Sequence, residues 1–309
     1  NQGCIERVFG YQDVLCIQNP ATGREMQYGS LEPAASAKRV MIVGAGPAGM
    51  ECGRVAAERG HRVEIYEKED EPGGQVNLIC KDPARLDFED LKRFQVMQLK
   101  KLGVPVYTQT EVTADMILEK APDCLVVATG SVPRDITTAF LEEPIPGYDN
   151  EIIMNLFDVY KDPKSVGDNV LLFDRLGLVY GLTTALFLIE QGRTVEIATQ
   201  LPHAGMNAGY TYIPLLYDRL YKKGAKFTPS VEIKQIDDHS VTLMNVYNFK
   251  EQTRDGIDTF IPIIQQNALD GIYRDLKGKI SDIYLLGDAA APRNLMEAIH
   301  DGFHAGRRI

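Results

Sequence analysis

Residues 40–51 read VMIVGAGPAGME, an apolar run that breaks into three glycines with the spacing GxGxxG. The run predicts a buried strand that turns tightly at Gly44 and continues as a helix. Gly46 would let the backbone approach a pyrophosphate closely, and Gly49 would let the helix pack against the strand. Because the free N–H groups at the start of such a helix point at phosphate, the segment predicts a dinucleotide site.

A second predicted strand covers residues 61–67 and ends in the acid Glu67. In this fold a carboxylate roughly 20 residues beyond the glycines accepts hydrogen bonds from an adenosine ribose. The glycine spacing alone would also fit a chance turn, but strand, glycines, helix, strand and acid in this order are a more specific signal. We therefore expect an adenine nucleotide across the first glycine turn, with its ribose at Glu67.

The bulk composition fits a globular protein of two domains. Of the 309 residues, 25% are charged and 44% are hydrophobic, and the net charge is −10. No apolar run is long enough to cross a membrane, and no signal peptide is recognisable. An acidic chain without a basic patch argues against nucleic acid or an anionic membrane as partner. The five cysteines do not resemble a secreted disulfide framework, so we expect a cytoplasmic protein.

Two cysteines, Cys4 and Cys16, flank a glycine-containing loop near the start of the sequence, which lacks an initial methionine and so suggests a fragment. Here the chain resembles the trimethylamine dehydrogenase and 2,4-dienoyl-CoA reductase family, in which a flavin-bearing barrel is followed by a CxxCxxxC segment and then by a fourth cysteine. The resemblance implies that Cys4 and Cys16 are the third and fourth thiolate ligands of a 4Fe-4S cluster whose other two cysteines precede Asn1. Thiolates suit iron clusters because sulfur is a soft donor. By spacing alone, ordinary buried thiols are the alternative.

Residues 71–77 read EPGGQVN, and their paired glycines would bring bare backbone beside the first glycine turn. The resembled family carries a similar GGQ-N segment, which implies that Gly73 and Gly74 contact the pyrophosphate or the ribose. A plain type II or type I′ turn is the alternative, because Pro-Gly-Gly also occurs in such turns.

Residues 124–134 read CLVVATGSVPR, a continuous apolar strand that ends in Ala-Thr-Gly. Continuous apolarity is typical of a parallel strand that is covered on both faces. The Ala-Thr-Gly ending resembles that of flavoproteins with two dinucleotide domains, which implies that Thr129 and Gly130 lie against the nucleotide where the chain crosses to the next domain. Core thiols are predicted at three positions: Cys52, Cys80 and Cys124.

Residues 282–302 show a strand, then Gly287-Asp288, then a helix. They resemble the closing motif of a flavin domain, in which the aspartate hydrogen-bonds the sugar-like chain of the flavin and the helix start faces the pyrophosphate. The alternative is a simple helix N-cap at Asp288. His300 and His304 lie one turn apart on a helical face, but no third ligand is arranged beside them. We expect a solvated or hydrogen-bonded pair there rather than a metal site.

A second strand, turn, helix and strand are predicted over residues 170–198. The turn retains only Gly177 and Gly181 of the glycine pattern, and Asp174 stands where a phosphate would approach the helix start. A carboxylate there would repel the phosphate, so a working NAD(P)H site is not expected. The later strand at 258–264 also lacks the Thr-Gly ending of flavoprotein reductases of this type. Both departures favour the amine dehydrogenase branch of the resembled family.

Two further segments of the first half have clear local patterns. Residues 19–38 contain several turn signals and are predicted as a linker into the first strand. Residues 86–102 alternate apolar and charged side chains at helical spacing and are followed by Gly103, which predicts a packing helix. The side chains predicted to face inward are Phe88, Leu91, Phe94, Met97, Leu99 and Leu102.

Together the motifs predict an α/β protein with two Rossmann-like dinucleotide-binding domains of the glutathione-reductase type, preceded by an iron-sulfur cluster segment. The predicted domains are a cluster segment and linker at 1–34, an FAD- or ADP-binding domain at 35–149 plus 270–309, and a second domain with a degenerate nucleotide site at 150–269. The cofactor-binding candidates are Gly44, Gly46, Pro47, Ala48, Gly49, Glu67, Lys68, Gly73, Gly74, Gln75, Thr129, Gly130, Gly287, Asp288 and Ala298. The metal-ligand candidates are Cys4 and Cys16, and no catalytic residue is identified.

The resemblance implies a multi-cofactor oxidoreductase whose catalytic FMN and substrate base sit on an N-terminal barrel of the same protein. The first hypothesis is an amine dehydrogenase or N-demethylase that passes electrons from FMN through a 4Fe-4S cluster to an electron-transfer flavoprotein or similar acceptor. The second is an NAD(P)H-dependent enoate or 2,4-dienoyl-CoA reductase, with electrons flowing in the opposite direction through FAD. The third is a non-catalytic scaffold in which ADP or an idle FAD only stabilises the fold. A homo-oligomer is also expected.

Overall fold

The computed structural model describes residues 3–136 and 145–309, so Asn1 and Gln2 of the predicted cluster segment lie outside the described residues. The chain divides into two compact units, one formed by Asn1–Val132 with Asn267–Ile309 and the other by Pro133–Gln266. Each unit contains a parallel sheet with helices, which confirms the predicted α/β class. This division into compact units does not test the predicted domain boundaries, which stay a prediction.

The first unit is organised on a parallel sheet whose strands are apolar along most of their length. Val40 and Ile42 belong to one core cluster, while Met41 and Val43 belong to another. Because successive side chains of a strand point to opposite faces, this sheet is buried on both sides, as parallel sheets usually are. The strands are β1 (Arg39–Val43), β2 (Arg62–Tyr66), β3 (Val106–Tyr107), β4 (Cys124–Val127) and β14 (Ile283–Leu285), in the order β14-β4-β1-β2-β3.

The helices of the first unit include two short ones that the sequence pattern did not predict. The helix at Ile5–Phe9 lies between Cys4 and Cys16, where a loop was expected, and the helix at Glu25–Tyr28 lies within the predicted linker. Neither helix buries a residue, and both are far shorter than the window over which apolar periodicity identifies a helix. The helices are α1 (Ile5–Phe9), α2 (Glu25–Tyr28), α3 (Pro47–Glu58), α4 (Gln75–Ile79), α5 (Asp87–Lys101), α6 (Ala114–Lys120), α10 (Gly271–Leu276) and α11 (Leu295–Arg308).

Helix α5 forms where it was predicted, but half of its predicted inward face is wrong. Its buried residues are Leu91, Gln95 and Leu99, which follow one another at intervals of one helical turn. Phe94 and Met97, which were expected inside, are 38% and 48% exposed, and Leu102 is exposed as well. A polar residue, Gln95, takes a central place in the stripe because its side-chain amide donates to the Pro47 carbonyl of α3 at 3.0 Å. The apolar pattern could not reveal that contact.

Helices α3 and α11 cross at close range because two glycines of α11 face α3. A Cβ atom at Gly302 would lie 2.2 Å from the Ala48 carbonyl oxygen, and one at Gly306 would lie 2.7 Å from Cβ of Val55. Only glycine allows two backbones to approach this closely. The crossing therefore keeps α11 beside the helix that begins at the first glycine turn.

The second unit repeats the strand, helix, strand arrangement predicted over residues 170–198. Its parallel strands are β6 (Asn169–Asp174), β7 (Thr194–Ala198), β8 (Lys226–Thr228) and β12 (Thr259–Ile263), in the order β12-β6-β7-β8. An antiparallel sheet contains β9 (Val231–Asp237), β10 (Ser240–Asn245) and β11 (Glu251–Asp255). The helices are α7 (Leu156–Lys161), α8 (Val179–Glu190) and α9 (Ile213–Lys222).

Strands β5 (Ser131–Pro133) and β13 (Gln266–Ala268) form a separate two-stranded sheet.

None of the helices in the described ranges is long and apolar enough to cross a membrane.

A buried histidine before β2 should make the fold sensitive to acid. The Nδ1 atom of His61 accepts the Lys38 N–H at 3.1 Å, and burial lowers the pKa of His61, with smaller effects from the positive charges of Arg59 and Lys38. Because the folded pKa lies below the unfolded value, the stability that His61 contributes is present above its ordinary pKa and is lost as the pH falls through the folded value.

We therefore expect the melting temperature to fall more between about pH 7.5 and about pH 5 in the wild type than in His61→Asn. The asparagine amide oxygen can accept the same hydrogen bond but does not titrate. Thermal unfolding at both pH values measures the difference. An equal loss in the two proteins would show that His61 has no part in acid sensitivity.

Candidate nucleotide-binding site

The first glycine turn has the geometry that its spacing predicts. Gly44 has a φ of +106°, and a Cβ atom there would lie 2.3 Å from the Ala128 carbonyl oxygen at the end of β4. A Cβ atom at Gly49 would lie 2.0 Å from the Gly44 carbonyl oxygen. Gly44 therefore permits the turn, and Gly49 permits the contact between α3 and β1.

Gly46 differs from its two neighbours because nothing lies where its side chain would be. It precedes α3 with a φ of −74° and a ψ of 176°, and Pro47 occupies the first turn of the helix. No heavy atom lies within 4 Å of a Cβ atom built at Gly46. The backbone is thus bare on the side where a pyrophosphate would approach a helix start.

The second glycine pair lies directly against the first turn, as the sequence predicts for a shared site. The Gly73 N–H donates to the Ala45 carbonyl at 2.9 Å. A Cβ atom at Gly74 would lie 3.3 Å from the Gly46 Cα atom. Gly73 and Gly74 have φ angles of +131° and +56°, which few residues other than glycine adopt. Two stretches of bare backbone therefore meet at Gly46.

Glu67 lies at the end of β2 and is 7% exposed. Its Oε2 atom accepts the Ala45 N–H at 2.8 Å, and its Oε1 atom accepts the Glu69 N–H at 3.0 Å. The carboxylate therefore holds the glycine turn, and each oxygen retains a further lone pair for a hydroxyl donor. Its predicted ribose contact stays a prediction. Lys68 is largely exposed and lies 3.7 Å from a Glu69 carboxylate oxygen.

Three separate motifs meet at the carboxylate of Asp288. Its Oδ2 atom accepts hydrogen bonds at 3.2 Å from the Gln75 amide and at 3.2 Å from the Ser131 hydroxyl. The Gln75 amide also donates to the Ser131 hydroxyl oxygen at 2.9 Å. Ser131 was not among the predicted site residues, because a serine after Ala-Thr-Gly has no spacing signal of its own.

The alternative that Asp288 is the N-cap of the last helix is wrong. Asp288 lies in a separate turn of 3₁₀ helix, Gly287–Ala289. The N-cap of α11 is Asn294, whose side chain accepts the Glu297 N–H at 3.2 Å. The other Asp288 oxygen, Oδ1, accepts the Arg293 N–H at 3.1 Å. The aspartate therefore fixes the loop before α11.

The remaining predicted contacts lie around this loop and the end of β4. A Cβ atom at Gly287 would lie 2.9 Å from Cβ of Ala48 and 3.7 Å from Cβ of Ala298, so these small residues pack together. The Thr129 hydroxyl donates to the Leu269 carbonyl, and the Leu269 N–H donates to the Gly130 carbonyl at 3.0 Å. Thr129 thus binds a neighbouring chain segment, while its predicted contact with the nucleotide stays a prediction.

The cysteine segment is held together by its backbone. The Leu15 N–H donates to the Gly3 carbonyl at 3.0 Å, which joins the two residues that immediately precede Cys16 and Cys4. Cys4 is exposed and Cys16 is half-buried. Within residues 3–136 and 145–309, no group of three or more metal-binding side chains comes together.

Of the three remaining cysteines, two are buried and one is only half-buried. Cys52 and Cys124 are fully buried, as predicted, and burial raises the pKa of each, that of Cys124 to about 12. Cys80, predicted in the core, is only half-buried at the end of α4. Burial also raises its pKa, to about 11, so all three thiols stay protonated at neutral pH.

The second glycine turn is closed by its own carboxylate. Asp174 is completely buried, and its two oxygens accept the N–H groups of Gly177 at 2.9 Å and of Gly205 at 3.0 Å. Burial raises the pKa of Asp174. The expectation that this side chain faces an approaching phosphate is wrong in its geometry, because the carboxylate points into the protein and occupies the donors itself.

A loop after β7 covers the same turn. The Asn207 N–H donates to the Gly177 carbonyl at 2.7 Å, and its side-chain amide donates to the Leu176 carbonyl at 2.8 Å. A Cβ atom at Gly177 would lie 2.4 Å from a methyl carbon of Leu201. The backbone of the second turn is therefore packed against protein, whereas that of Gly46 is bare.

The fold and the first site define a dinucleotide-binding domain of the kind found in oxidoreductases. The sequence matches the pyridine nucleotide-disulphide oxidoreductase family over residues 38–306, and the chain belongs to this family. Membership implies binding of FAD or a related dinucleotide. Iron, sulfide and FMN are not part of what the family match shows.

The relatives include both dehydrogenases and reductases. The chain is 32% identical to N,N-dimethylglycine/sarcosine dehydrogenase of Chromohalobacter salexigens, over 96% of this chain and 48% of that protein. It is 32% identical to cinnamate reductase of Clostridium sporogenes, over 100% of this chain and 44% of that protein. The solved structure of 2-naphthoyl-CoA reductase with 2-naphthoyl-CoA is 36% identical and has a TM-score of 0.90, over 100% of this chain and 46% of that one.

The chain spans about half the length of the curated relatives it matches. It corresponds to the C-terminal part of proteins that include amine dehydrogenases, N-demethylases and 2-naphthoyl-CoA reductase, which confirms the resemblance stated from the sequence. It is therefore a dinucleotide-binding module of the type used in flavoprotein oxidoreductases.

Proposed function

We propose that this chain is the nucleotide-binding part of an amine dehydrogenase or N-demethylase. In such an enzyme the amine is oxidised at FMN on an N-terminal barrel, and electrons leave by way of a 4Fe-4S cluster to an electron-transfer flavoprotein or similar acceptor. The proposed partners are that barrel, that acceptor and a second copy of the chain. The observation that carries the proposal is the closed second glycine turn.

The first glycine turn suits FAD, or ADP in its place. Bare backbone at Gly46 and Gly74 would accommodate a pyrophosphate, and Glu67 has lone pairs available for ribose hydroxyls. Asp288 would bind the sugar-like chain of a flavin, as the resemblance implies, and Gln75 and Ser131 would hold its carboxylate in place. The residues present therefore fit the group.

The cysteine segment also suits the proposed cluster. Cys4 is exposed and Cys16 is half-buried. The hydrogen bond from Leu15 to Gly3 keeps the two chain segments that carry these cysteines together. When bound, a cluster of this type supplies one-electron transfer. This chain would contribute two of the four thiolates, so the proposal requires two further cysteines.

The closed second turn argues against a nicotinamide donor. A dinucleotide phosphate needs free N–H donors and bare backbone where it binds, but the Gly177 N–H of this turn and the Gly205 N–H of the covering loop already donate to Asp174. Opening the turn would also separate Asn207 from Gly177 and leave a buried carboxylate without donors, which is costly. Electrons are therefore proposed to enter from the substrate and not from NADH or NADPH.

A reductase is the second candidate, and the similarity to known reductases supports it. The chain is as similar to cinnamate reductase as to N,N-dimethylglycine/sarcosine dehydrogenase, and 36% identical to 2-naphthoyl-CoA reductase. In that case FAD at the first turn would receive electrons from NAD(P)H. The two candidates differ in whether a nicotinamide reduces the enzyme.

Stopped-flow mixing of the anaerobic oxidised enzyme with NADH or NADPH measures this difference directly. We expect no bleaching of the flavin absorbance by either nicotinamide, because Asp174, Leu201 and Asn207 pack against Gly177 and leave no bare backbone there for a phosphate. Addition of an N-methylated amine should instead reduce the enzyme and, through it, a flavoprotein or dye acceptor. Rapid flavin reduction by a micromolar nicotinamide would contradict the proposal and establish the reductase.

A further inference from the structure

One side of helix α11 contacts residues 3–30 of the chain at each successive turn. The contacts come from Met296, His300, His304 and Arg307, which recur at intervals of three or four residues. A Cβ atom at Gly3 would lie 2.6 Å from the Met296 sulfur. Residues at this spacing share one face of a helix, so this face packs against the N-terminal segment.

The C-terminal part of this face, formed by His304 and Arg307, contacts residues 27–30, which follow the cysteines in the chain. Arg307 donates to the Ser30 carbonyl at 2.7 Å and to the Gln27 carbonyl at 3.3 Å. The Tyr28 ring packs edge-on against His304, with ring centres 5.2 Å apart. These contacts lie well away from Cys4 and Cys16 in the sequence and hold α2 in place.

His300 makes the contact that reaches a cysteine directly. Its Nε2 atom lies 2.8 Å from the Cys16 carbonyl oxygen. A carbonyl oxygen only accepts hydrogen bonds, so Nε2 carries the proton and the imidazole is the donor. One residue earlier, the Leu15 N–H donates to the Gly3 carbonyl at 3.0 Å, so two successive residues of this turn are fixed by partners distant in sequence.

We propose that His300 is a positioning residue for Cys16: its hydrogen bond to the Cys16 carbonyl fixes the turn that presents the Cys16 thiol beside the Cys4 segment for a shared metal centre. The proposal rests on the proposed cluster ligands, but it concerns a residue outside them. Of the pair His300 and His304, which looks like a metal motif in the sequence, His300 thus serves the cysteine loop, whereas His304 packs against Tyr28.

The test compares three variants of this chain with the wild type. His300→Leu removes the donor, His300→Gln keeps an N–H donor on a side chain of similar reach, and His304→Gln is the control on the same helical face. Alkylation of Cys4 and Cys16 by iodoacetamide under native conditions is followed by peptide mass spectrometry. Amide hydrogen exchange of residues 14–17 is measured in parallel, because it reports local opening of the turn.

We expect Cys16 in His300→Leu to be alkylated roughly tenfold faster, as loss of one hydrogen bond allows, with faster exchange at 14–17. Cys4, which is already exposed, should change little. His300→Gln and His304→Gln should retain the wild-type rate at Cys16. An unchanged Cys16 rate in His300→Leu would overturn the role of His300, as would an equal acceleration in His304→Gln.

A second measurement separates this proposal from the proposed function. Titration with Cd²⁺ alone, followed by thiolate charge-transfer absorbance, reports whether Cys4 and Cys16 can share a metal. We expect binding in the wild type, loss in Cys16→Ser and weaker binding in His300→Leu. Cadmium binding that is identical in His300→Leu would overturn only the positioning role. Absence of binding in the wild type would overturn the cluster ligands and the inference that depends on them.

Discussion

Replacement of Gly46 by valine should abolish nucleotide binding without unfolding the protein. Gly46 has an ordinary extended backbone, with a φ of −74°, and no atom of the protein lies within 4 Å of the position that a Cβ atom would take. A valine there meets no steric conflict within the fold. Its methyl groups would fill the space in which a pyrophosphate approaches the start of α3. We expect the affinity for the dinucleotide to fall at least about 100-fold.

The measurement is the nucleotide content of the purified protein, released by heat and identified by absorbance and mass spectrometry. Gly271→Val is a matched control, because Gly271 also has open space around a Cβ atom but lies at the start of α10. The control should retain nucleotide, and both variants should melt as cooperative folds. Full nucleotide content in Gly46→Val would place the nucleotide elsewhere. Release of ADP instead of FAD from the wild type would favour the scaffold hypothesis.

The main elements of the fold were predictable because each has a strong local signal. A parallel sheet is predicted by the apolar strand before Gly44, by the glycine spacing and by the apolar run at 124–127. Strands β1 and β4 form at the two apolar runs, and β2 follows the helix that begins after the glycine turn. Helices α1 and α2 were not predicted because they are only five and four residues long. Apolar periodicity identifies a helix only over several turns, so it gives no signal for helices this short.

The site was predictable at its glycines and less so at its polar contacts. Gly44 and Gly49 have the steric roles that spacing assigns, since steric demands on the backbone repeat from one such turn to another. Gly46 has the bare backbone that its predicted role requires, and its contact with a pyrophosphate stays a prediction. Ser131 has no comparable signal, because it joins Asp288 only after distant parts of the chain have come together. A hydrogen bond between side chains depends on tertiary structure, which a motif search does not contain.

Asp174 shows the same limit in the second unit. Its position at the end of β6 was visible in the sequence, and a repulsive effect on phosphate follows from charge alone. Its burial and its bonds to Gly177 and Gly205 depend on the loop that follows β7. Sequence and structure both lead to the expectation that NAD(P)H does not bind at the second turn. The physical reason in the structure is that the N–H groups of Gly177 and Gly205 already donate to Asp174, rather than that an exposed charge repels phosphate.

Replacement of Gly302 by valine should strongly destabilise the first unit. A Cβ atom there would lie 2.2 Å from the Ala48 carbonyl oxygen and 3.0 Å from the Cys52 nitrogen, both of which belong to the backbone of α3. Backbone atoms inside a helix cannot rotate away as a side chain can, so α3 and α11 must separate. Overpacking of this kind costs about 3 kcal/mol, which lowers the melting temperature by roughly 5–10 °C.

Arg308→Val is the control for Gly302→Val, because it places the same residue in the same helix at an exposed position. It should change the melting temperature by only about 1–2 °C, since valine is a slightly poorer helix former than arginine. Separation of the helices would also move Ala298 and Gly287 away from Ala48, so Gly302→Val should retain less nucleotide than the control. Equal melting temperatures in the two variants would contradict close backbone packing between α3 and α11. Normal nucleotide retention in a destabilised Gly302→Val protein would show that the start of α11 is not part of the binding site.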